Sequence, residues 1–459
     1  MIRRTRAAVA LALLAATACA ATAHAGPPGK WTQVTGVGGQ EDLNTLRVGL
    51  ARTVDGVLHV GWARNAAGGT SASILHSAIS ANAKSVSGPD TIISYPGGAN
   101  QSVALAPFSG GIRAFFAGLD PSSSLDRAMA TAVSANGQAW TSFQAASKPG
   151  NNAKPVYAAL GLDARMGLDG TPFSAWGDSV PTGGGFHIGL NPNPPDGEFP
   201  AGTQTDPGVG VDSQSGQAFL AWNDVDARTV NVMAISPQGA PATLPNSAAA
   251  QLGHRVGATG RMGARGVFIA FTQGTNEFTG KPALFRVDTG KVIRRSKGSG
   301  EKVSVAAAPS GRLWLFWKKR GTVFAARTNK VATKFGALRK IKVPGGGGAT
   351  IFDIAGEASR GPLDLLALVD PPSGPLANYH QRILPGLTLK AKHRKNGKTA
   401  FKVTDAGQAV AGAKVKVKGD GTKTTGSSGT VAFSLATGKH KVTAKKKGYA
   451  VARLTVRVK

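Results

Sequence analysis

One unit recurs along this chain and restricts its fold more than any other feature. It is a short apolar strand, a turn ending in glycine, then a strand tipped by an aromatic ring. It stands as "GLARTVDGVLHVGW" at 49–62, "ALAPFSGGIRAFF" at 104–116, "GLDARMGLDGTPFSAW" at 161–176 and "GVDSQSGQAFLAW" at 210–222. It returns as "ATGRMGARGVFIAF" at 258–271, "VAAAPSGRLWLFW" at 305–317 and, more weakly, "IAGEASRGPLDLLAL" at 354–368. The turn glycines are Gly56, Gly110, Gly170, Gly216, Gly266, Gly311 and Gly361, at intervals of 54, 60, 46, 50, 45 and 50 residues. A unit of this size cannot bury both faces alone, so it must stack on copies of itself. The period and strand–turn–strand content predict an all-β chain built on a β-propeller of six to seven blades, seven by the glycine count. Glycine suits the turns because a tight hairpin needs positive φ.

The ring at each strand tip is Trp62, Phe116, Trp176, Trp222, Phe271 or Trp317. Alternation beside small residues such as Gly61, Ala175 and Ala221 predicts packing between blades; the alternative is a circle of sugar-stacking platforms. Each repeat continues into a further strand, for example "ILHSAIS" at 74–80 and "TVFAART" at 322–328. Near the start, "KWTQVTG" at 30–36 reads as an outer strand that completes the last blade and closes the ring.

After the second repeat comes "SANGQAWTSF" at 134–143. This resembles the Asp-box of sialidase-like propellers: Ser134, Gly137 and Trp140 match, while Asn136 stands where the family has aspartate. Asparagine can still make the turn's hydrogen bonds. The resemblance covers residues 31–385. It implies an arginine triad, a tyrosine nucleophile paired with glutamate, and an aspartate acid/base. The family's first arginine precedes Ile-Pro; here Arg47 precedes Val48-Gly49. The tyrosines are Tyr95, Tyr157 and Tyr379, the glutamates Glu41, Glu198, Glu277, Glu301 and Glu357. Tyr379 with Arg382 in "NYHQR" is the best nucleophile neighbourhood. No acidic constellation for general acid and nucleophile roles is visible in the sequence, so no catalytic residue is assigned.

Residues 386–459 alternate with period two between turns at "NGK", "DAG", "GDG", "SSG" and "ATG", which predicts a small β-sandwich after a linker, "LPGLTLK" at 384–390. The stretches "VTDAGQAVAGAKVKV", "TGSSGTVAFSL" and "GKHKVTAKKKGY" resemble carboxypeptidase regulatory-like and bacterial Ig-like modules, which implies a structural or adhesive role. The formal charge of +30 is concentrated in two zones: residues 291–342 carry 15 Lys/Arg against Glu301 alone, and residues 390–459 carry 18 against Asp405 and Asp420. Alternating lysines in "KVKVK" and "KHKVTAKKK" predict one strongly positive sandwich face. Such a surface suits anionic cell-wall polymer or polysaccharide; a merely solubilising surface is the other reading. No aromatics interleave with the basic residues, which argues against dedicated nucleic-acid recognition.

Arg3, Arg4 and Arg6, the apolar run Ala7 to Ala18, and Ala23-His24-Ala25 read as a secretory signal peptide over 1–25. The domains expected are therefore 1–25 as signal peptide, 26–385 as propeller and 386–459 as sandwich. No later run is long enough to span a membrane as a helix. The single cysteine, Cys19, lies in the leader, where lipid attachment is the less favoured alternative, and cleavage would leave no thiol. The eight histidines (His24, His59, His76, His187, His254, His380, His393, His440) show no metal-ligand spacing. Asp224 and Asp226 in "NDVDAR" read as turn carboxylates rather than calcium ligands, and "GGGG" at 345–348 as a flexible connection. No cofactor or metal is expected. The reading is a secreted, non-enzymatic glycan- or ligand-binding platform whose basic sandwich attaches to anionic cell-envelope polymers. The alternative is an exo-acting, sialidase-like glycoside hydrolase.

Overall fold

The computed structural model describes residues 23–24, 29–36, 48–65, 71–96, 102–119, 127–142, 144–145, 160–179, 186–191, 204–249, 255–294, 298–394 and 397–459. Among the described residues up to Ile383, the strands form seven successive antiparallel sheets. The innermost strands are Gly49–Arg52, Val103–Phe108, Leu160–Met166, Gln204–Val211, Gly257–Gly260, Glu301–Ala308 and Thr350–Glu357. They pack against one another in chain order, and the last returns to the first. The chain is thus an all-β propeller whose ring is closed.

Hydrophobic burial between neighbouring sheets holds the ring. Trp62, Phe116, Trp176, Trp222, Phe271 and Trp317 are all buried, each in a core shared by its own sheet and the preceding one. Trp62 reaches Ala355 and Leu366 of the seventh sheet, across the point of closure. The seventh sheet has Ala367 in place of a ring, and Trp314 and Phe316 of the sixth sheet fill that gap. A Cβ on Gly356 would stand 2.6 Å from the Phe316 ring, so the fit depends on the bare glycine.

The turn glycines carry the expected positive φ, 90° at Gly56 for example, except in the second sheet, where it falls on Gly111 (138°) and not Gly110. The reason is local: a Cβ on Gly111 would lie 2.1 Å from the Ser134 carbonyl oxygen. Gly345–Gly348, expected as a flexible connection, contains one 3-10 turn over Gly346–Gly348. A Cβ on Gly321 would meet the Gly346 oxygen at 1.6 Å, so this segment lies tight against the sixth sheet.

The strand Thr32–Gly36 pairs antiparallel with Ala377–Ile383 and forms the outer edge of the seventh sheet. Trp31 packs on the core between the sixth and seventh sheets, and its indole N–H donates to the Lys342 carbonyl at 2.7 Å. The N-terminal segment thus closes the ring, as the sequence pattern suggests. At the outer edge of the first sheet, Ala23–His24 pairs with Val86 and Ser85. Residues 1–22, with Cys19, and 25–28 of the segment expected as a signal peptide and its junction lie outside the described residues.

Beyond Ile383, two four-stranded sheets enclose a core of Leu389, Phe401, Val403, Val415, Phe433, Val442 and neighbours. The segment expected as a linker is stitched at both sides. Gly386 bridges Ala337 of the propeller and Ala450 of the C-terminal unit, and the Ala450 N–H donates to the Pro385 carbonyl at 2.9 Å. The unit then docks on the sixth sheet through Asp405, which is 1% exposed. Arg312 lies 3.2 Å from the Asp405 carboxylate, and Arg327 also hydrogen-bonds it. Arg312 reaches the Gln408 side-chain oxygen at 2.5 Å, and the Arg327 guanidinium lies over the Tyr449 ring.

Candidate functional site

The inner strands surround a narrow axial opening with about 30 Å³ of enclosed space. Gly49, Leu50, Leu105, Gly257, Val305 and Gly356 line it, but the surface they and Asp163, Arg165 and Arg255 turn toward it is mostly polar. The local cause is a bulge. Between Leu160 and Asp163 the third sheet shifts register, with Gly161 at φ 62° taking the extra residue. Bulges re-aim the side chains that follow. Asp163 is 1% exposed, and its Oδ1 accepts from Nη1 of Arg165 at 2.9 Å and Nη1 of Arg255 at 3.1 Å. Its Oδ2 accepts the Val209 backbone N–H at 2.9 Å. Third, fourth and fifth sheets are thus tied at the axis by one carboxylate. The sequence signal was available: "LDARM" sets two charged residues in an otherwise apolar inner strand.

Among the described residues, none singled out by the sialidase resemblance lines this opening. Arg47, Tyr157, Glu41 and Glu198 lie outside the described residues, and Tyr95 falls in the strand Ser85–Pro96 of the first sheet. Tyr379 and Arg382, three positions apart on one strand, point to opposite faces. The Tyr379 ring enters the core between the sixth and seventh sheets, and its hydroxyl donates to the Pro375 carbonyl at 3.0 Å. Arg382 faces the first sheet, donating to Asp364 at 2.9 Å and to the Ala81 carbonyl at 3.1 Å. They form no nucleophile pair. Glu301 pairs with Lys318 at 3.2 Å, and Glu277 is buried. Asp224 accepts the Ala227 N–H at 2.9 Å, the geometry of a turn cap. Among the described residues no group of three potential metal ligands converges.

Glu357 and Asp364 belong to a buried network across the closure between first and seventh sheets. Arg52 donates to both carboxylates at 2.5 Å, and His380 Nε2 lies 2.9 Å from Asp364 Oδ1. Burial pushes the Asp364 carboxyl up, but the hydrogen bonds from His380 and Arg382 and the Arg52 charge outweigh it, leaving it below the ordinary carboxylate range.

The turn at Ser134–Trp140 has the hydrogen bonds its residues imply. Ser134 Oγ accepts the Gly137 N–H at 2.8 Å, Asn136 Oδ1 accepts the Gln138 N–H at 3.0 Å, and the Trp140 indole donates to the Gly137 carbonyl at 3.1 Å. It packs against a histidine pair of the first sheet that the sequence does not advertise. His59 Nδ1 and His76 Nε2 share a hydrogen bond of 2.9 Å, and His76 meets Trp140 edge to face.

The second candidate surface is the outer face of the sheet Gly421–Thr424, Lys414–Val417, Gly438–Lys445, Ala452–Val458. Alternation sends Val415, Val417, Val442, Ala444 and Val456 inward and leaves the outer face to charge. Lys414 and Lys416, then Lys439, Lys441 and Lys445, then Arg453 and Arg457 are all exposed on it. Register sets Lys414 opposite Lys445 and Lys439 opposite Arg457, with Thr443 between Lys416 and Arg453. These four strands contain no Asp or Glu.

Fold and surface together define an all-β propeller protein with a basic C-terminal β unit. No known protein-family model matches the sequence, and no curated protein matches it. Solved structures do. An α-L-arabinanase of Penicillium chrysogenum is 11% identical, with 50% of this chain and 73% of that one covered and a TM-score of 0.37. The fucose-specific lectin of Aleuria aurantia is 12% identical, with 84% and 96% covered and a TM-score of 0.38. A polysaccharide lyase is 9% identical, with 79% and 98% covered and a TM-score of 0.42. Among the described residues no helix is long and apolar enough to cross a membrane.

Proposed function

We infer that this chain is an exported, non-enzymatic binding protein in which the propeller is a rigid platform and the basic sheet face attaches to anionic envelope polymer. The observation that carries this reading is the face itself: seven exposed cations, no acid on the same strands, and like charges set directly opposite one another. Like-charged pairs directly opposite across a sheet are destabilising, on the order of a few tenths to 1 kcal/mol each. A chain that retains them gains where a partner supplies the counter-charge. The regular spacing favours a polymer with repeated anionic groups, since strands lie about 4.8 Å apart and alternate residues along a strand about 6.8 Å apart.

The test is retention on isolated cell walls and on a polyuronate resin, with the full chain and with Lys416→Glu/Lys441→Glu. Retention of the native chain is expected to fall steeply between about 0.1 M and 1 M salt, as the screening length drops from about 10 Å to about 3 Å. The variant, altered only at exposed positions, should elute at the low-salt end. Equal retention of both proteins at every salt concentration would refute the attachment role.

A further inference from the structure

The basic face described above is one side of a two-sided unit. The companion sheet is built from Thr388–His393, Lys398–Asp405 and Thr430–Ser434, with the short strand Gln408–Ala409 at one end. Alternation sends Leu389, Phe401, Val403 and Phe433 into the shared core. It turns Lys390, Lys392, Lys398 and Lys402 the other way, and all four are exposed. Lys390 stands directly opposite Lys402, a like-charged pair of the kind found on the first face. Edge protection does not explain it, because Lys402 lies on a strand paired on both sides. Thr388, Ala400, Thr404, Thr430, Ala432 and Ser434 share this face, and none offsets the charge. Asp405, the one acid on these strands, is buried at the seam with Arg312 and Arg327. The unit meets the propeller end-on: Gly386, Asp405, Gln408 and Tyr449 make the contacts, all at the same end of the two sheets. Both outer faces therefore stay open.

We propose that the C-terminal unit is bivalent: each outer face takes its own strand of anionic polymer, so that one molecule joins two polymer chains. This rests on the attachment reading above and extends it from anchoring to cross-linking. The two sheets lie back to back about 10 Å apart, and the lysine side chains on each side add to that. Two bound strands are thus held further apart than the screening length of about 8 Å at physiological ionic strength, and their mutual repulsion is small. The faces differ in strength, with seven exposed cations on the first and four on the second. The first holds the molecule on a polymer, and the second recruits a further strand. Neither face carries an aromatic ring on which a sugar could stack, so the polymer is recognised by its repeated anionic groups.

Strand capture tests this. Polyuronate is grafted sparsely on a surface, the full chain is loaded at about 0.1 M salt and washed, and soluble fluorescent polyuronate is then added. The native chain should be retained and should capture the second strand. Lys390→Glu/Lys402→Glu takes the second face from four positive charges to net zero. That variant should still be retained through the first face, while its capture falls at least about tenfold. Should it fail to fold, Lys390→Gln/Lys402→Gln makes the same comparison with a smaller change of charge. Lys84→Glu/Lys281→Glu alters total charge equally at exposed positions of the propeller and should leave retention and capture as in the native chain. Native protein that is retained but captures nothing would overturn bivalency and leave attachment standing, whereas absence of retention would overturn both. Full capture by the second-face variants would place the second strand elsewhere, another copy of the chain included, and overturn the assignment. Equal loss of capture in Lys84→Glu/Lys281→Glu would reduce the effect to total charge and overturn it as well.

Discussion

The histidine pair between the first two sheets makes the fold sensitive to acid. Burial holds His59 down to about 4 and His76 to about 3, against 6.5 for a free imidazole. The Asp55 carboxylate pulls His59 back up a little, and Arg52 pushes it further down. His76 is lowered in addition by His59, while Asp90 stands 3.9 Å from its Nδ1. From the second sheet Gly137 and the Trp140 ring face the pair, and neither supplies charge. The unfolded chain therefore binds protons below about 6.5 where the folded chain still refuses them. Stability is complete above that value and is lost as pH falls through about 4 towards 3. The native chain should lose on the order of a few kcal/mol by urea titration between about pH 7 and pH 4. His59→Gln/His76→Gln should lose clearly less over that range, and parallel pH profiles would place the sensitivity elsewhere. The pair was hidden in the sequence because its members meet diagonally across a hairpin. Gly61, not His59, stands opposite His76, and that register depends on a connection whose length carries no histidine signal.

At the scale of elements, the strand Thr32–Gly36 is the one whose loss has the widest reach. It covers the outer edge of Ala377–Ile383 and brings Trp31 onto the core between sixth and seventh sheets. Deleting residues 26–40 should lower the melting temperature by several degrees, since each ~1 kcal/mol is worth about 2–4 °C in a domain of around 200 residues. It should also promote self-association, because an uncovered strand edge templates pairing. Calorimetry and light scattering read both effects, and an unchanged transition would show that the ring closes without this strand. This element was legible because "KWTQVTG" repeats the look of strands that follow other repeats, and the ring-bearing strands were legible because one residue type recurs at one place. The seventh sheet was weak in the sequence for a physical reason. Ala367 stands where the others place a ring, and the missing volume comes from Trp314 and Phe316, a substitution across two sheets that no single repeat displays. Gly161 and its bulge were equally hidden: the glycine marks the possibility of a register shift, but only the partner strand decides where the shift falls.

For the whole molecule, the balance of charge decides how the two units are joined. Arg312 and Arg327 belong to a basic zone that reads in sequence as a surface for polyanions, yet both turn inward onto Asp405 of the C-terminal unit. Nothing local in either segment betrays this, since the partners lie 78 residues apart or more. One carboxylate thus reconciles two zones that are otherwise almost all cationic. With Asp405 neutralised, two buried guanidinium groups face each other without a counter-charge, and removing one partner of a buried ion pair costs about 3–5 kcal/mol. Asp405→Asn should therefore release the C-terminal unit while leaving each unit's own core intact. A single thermal transition in the native chain should split in two, and residues 384–390, now stitched between Ala337 and Ala450, should become the first site cut by protease. Gln408→Ala removes a neutral contact at the same seam and should do much less, because the Asp405 pair remains. A single transition and intact resistance to protease in Asp405→Asn would mean that backbone pairing at Gly386 alone holds the units together.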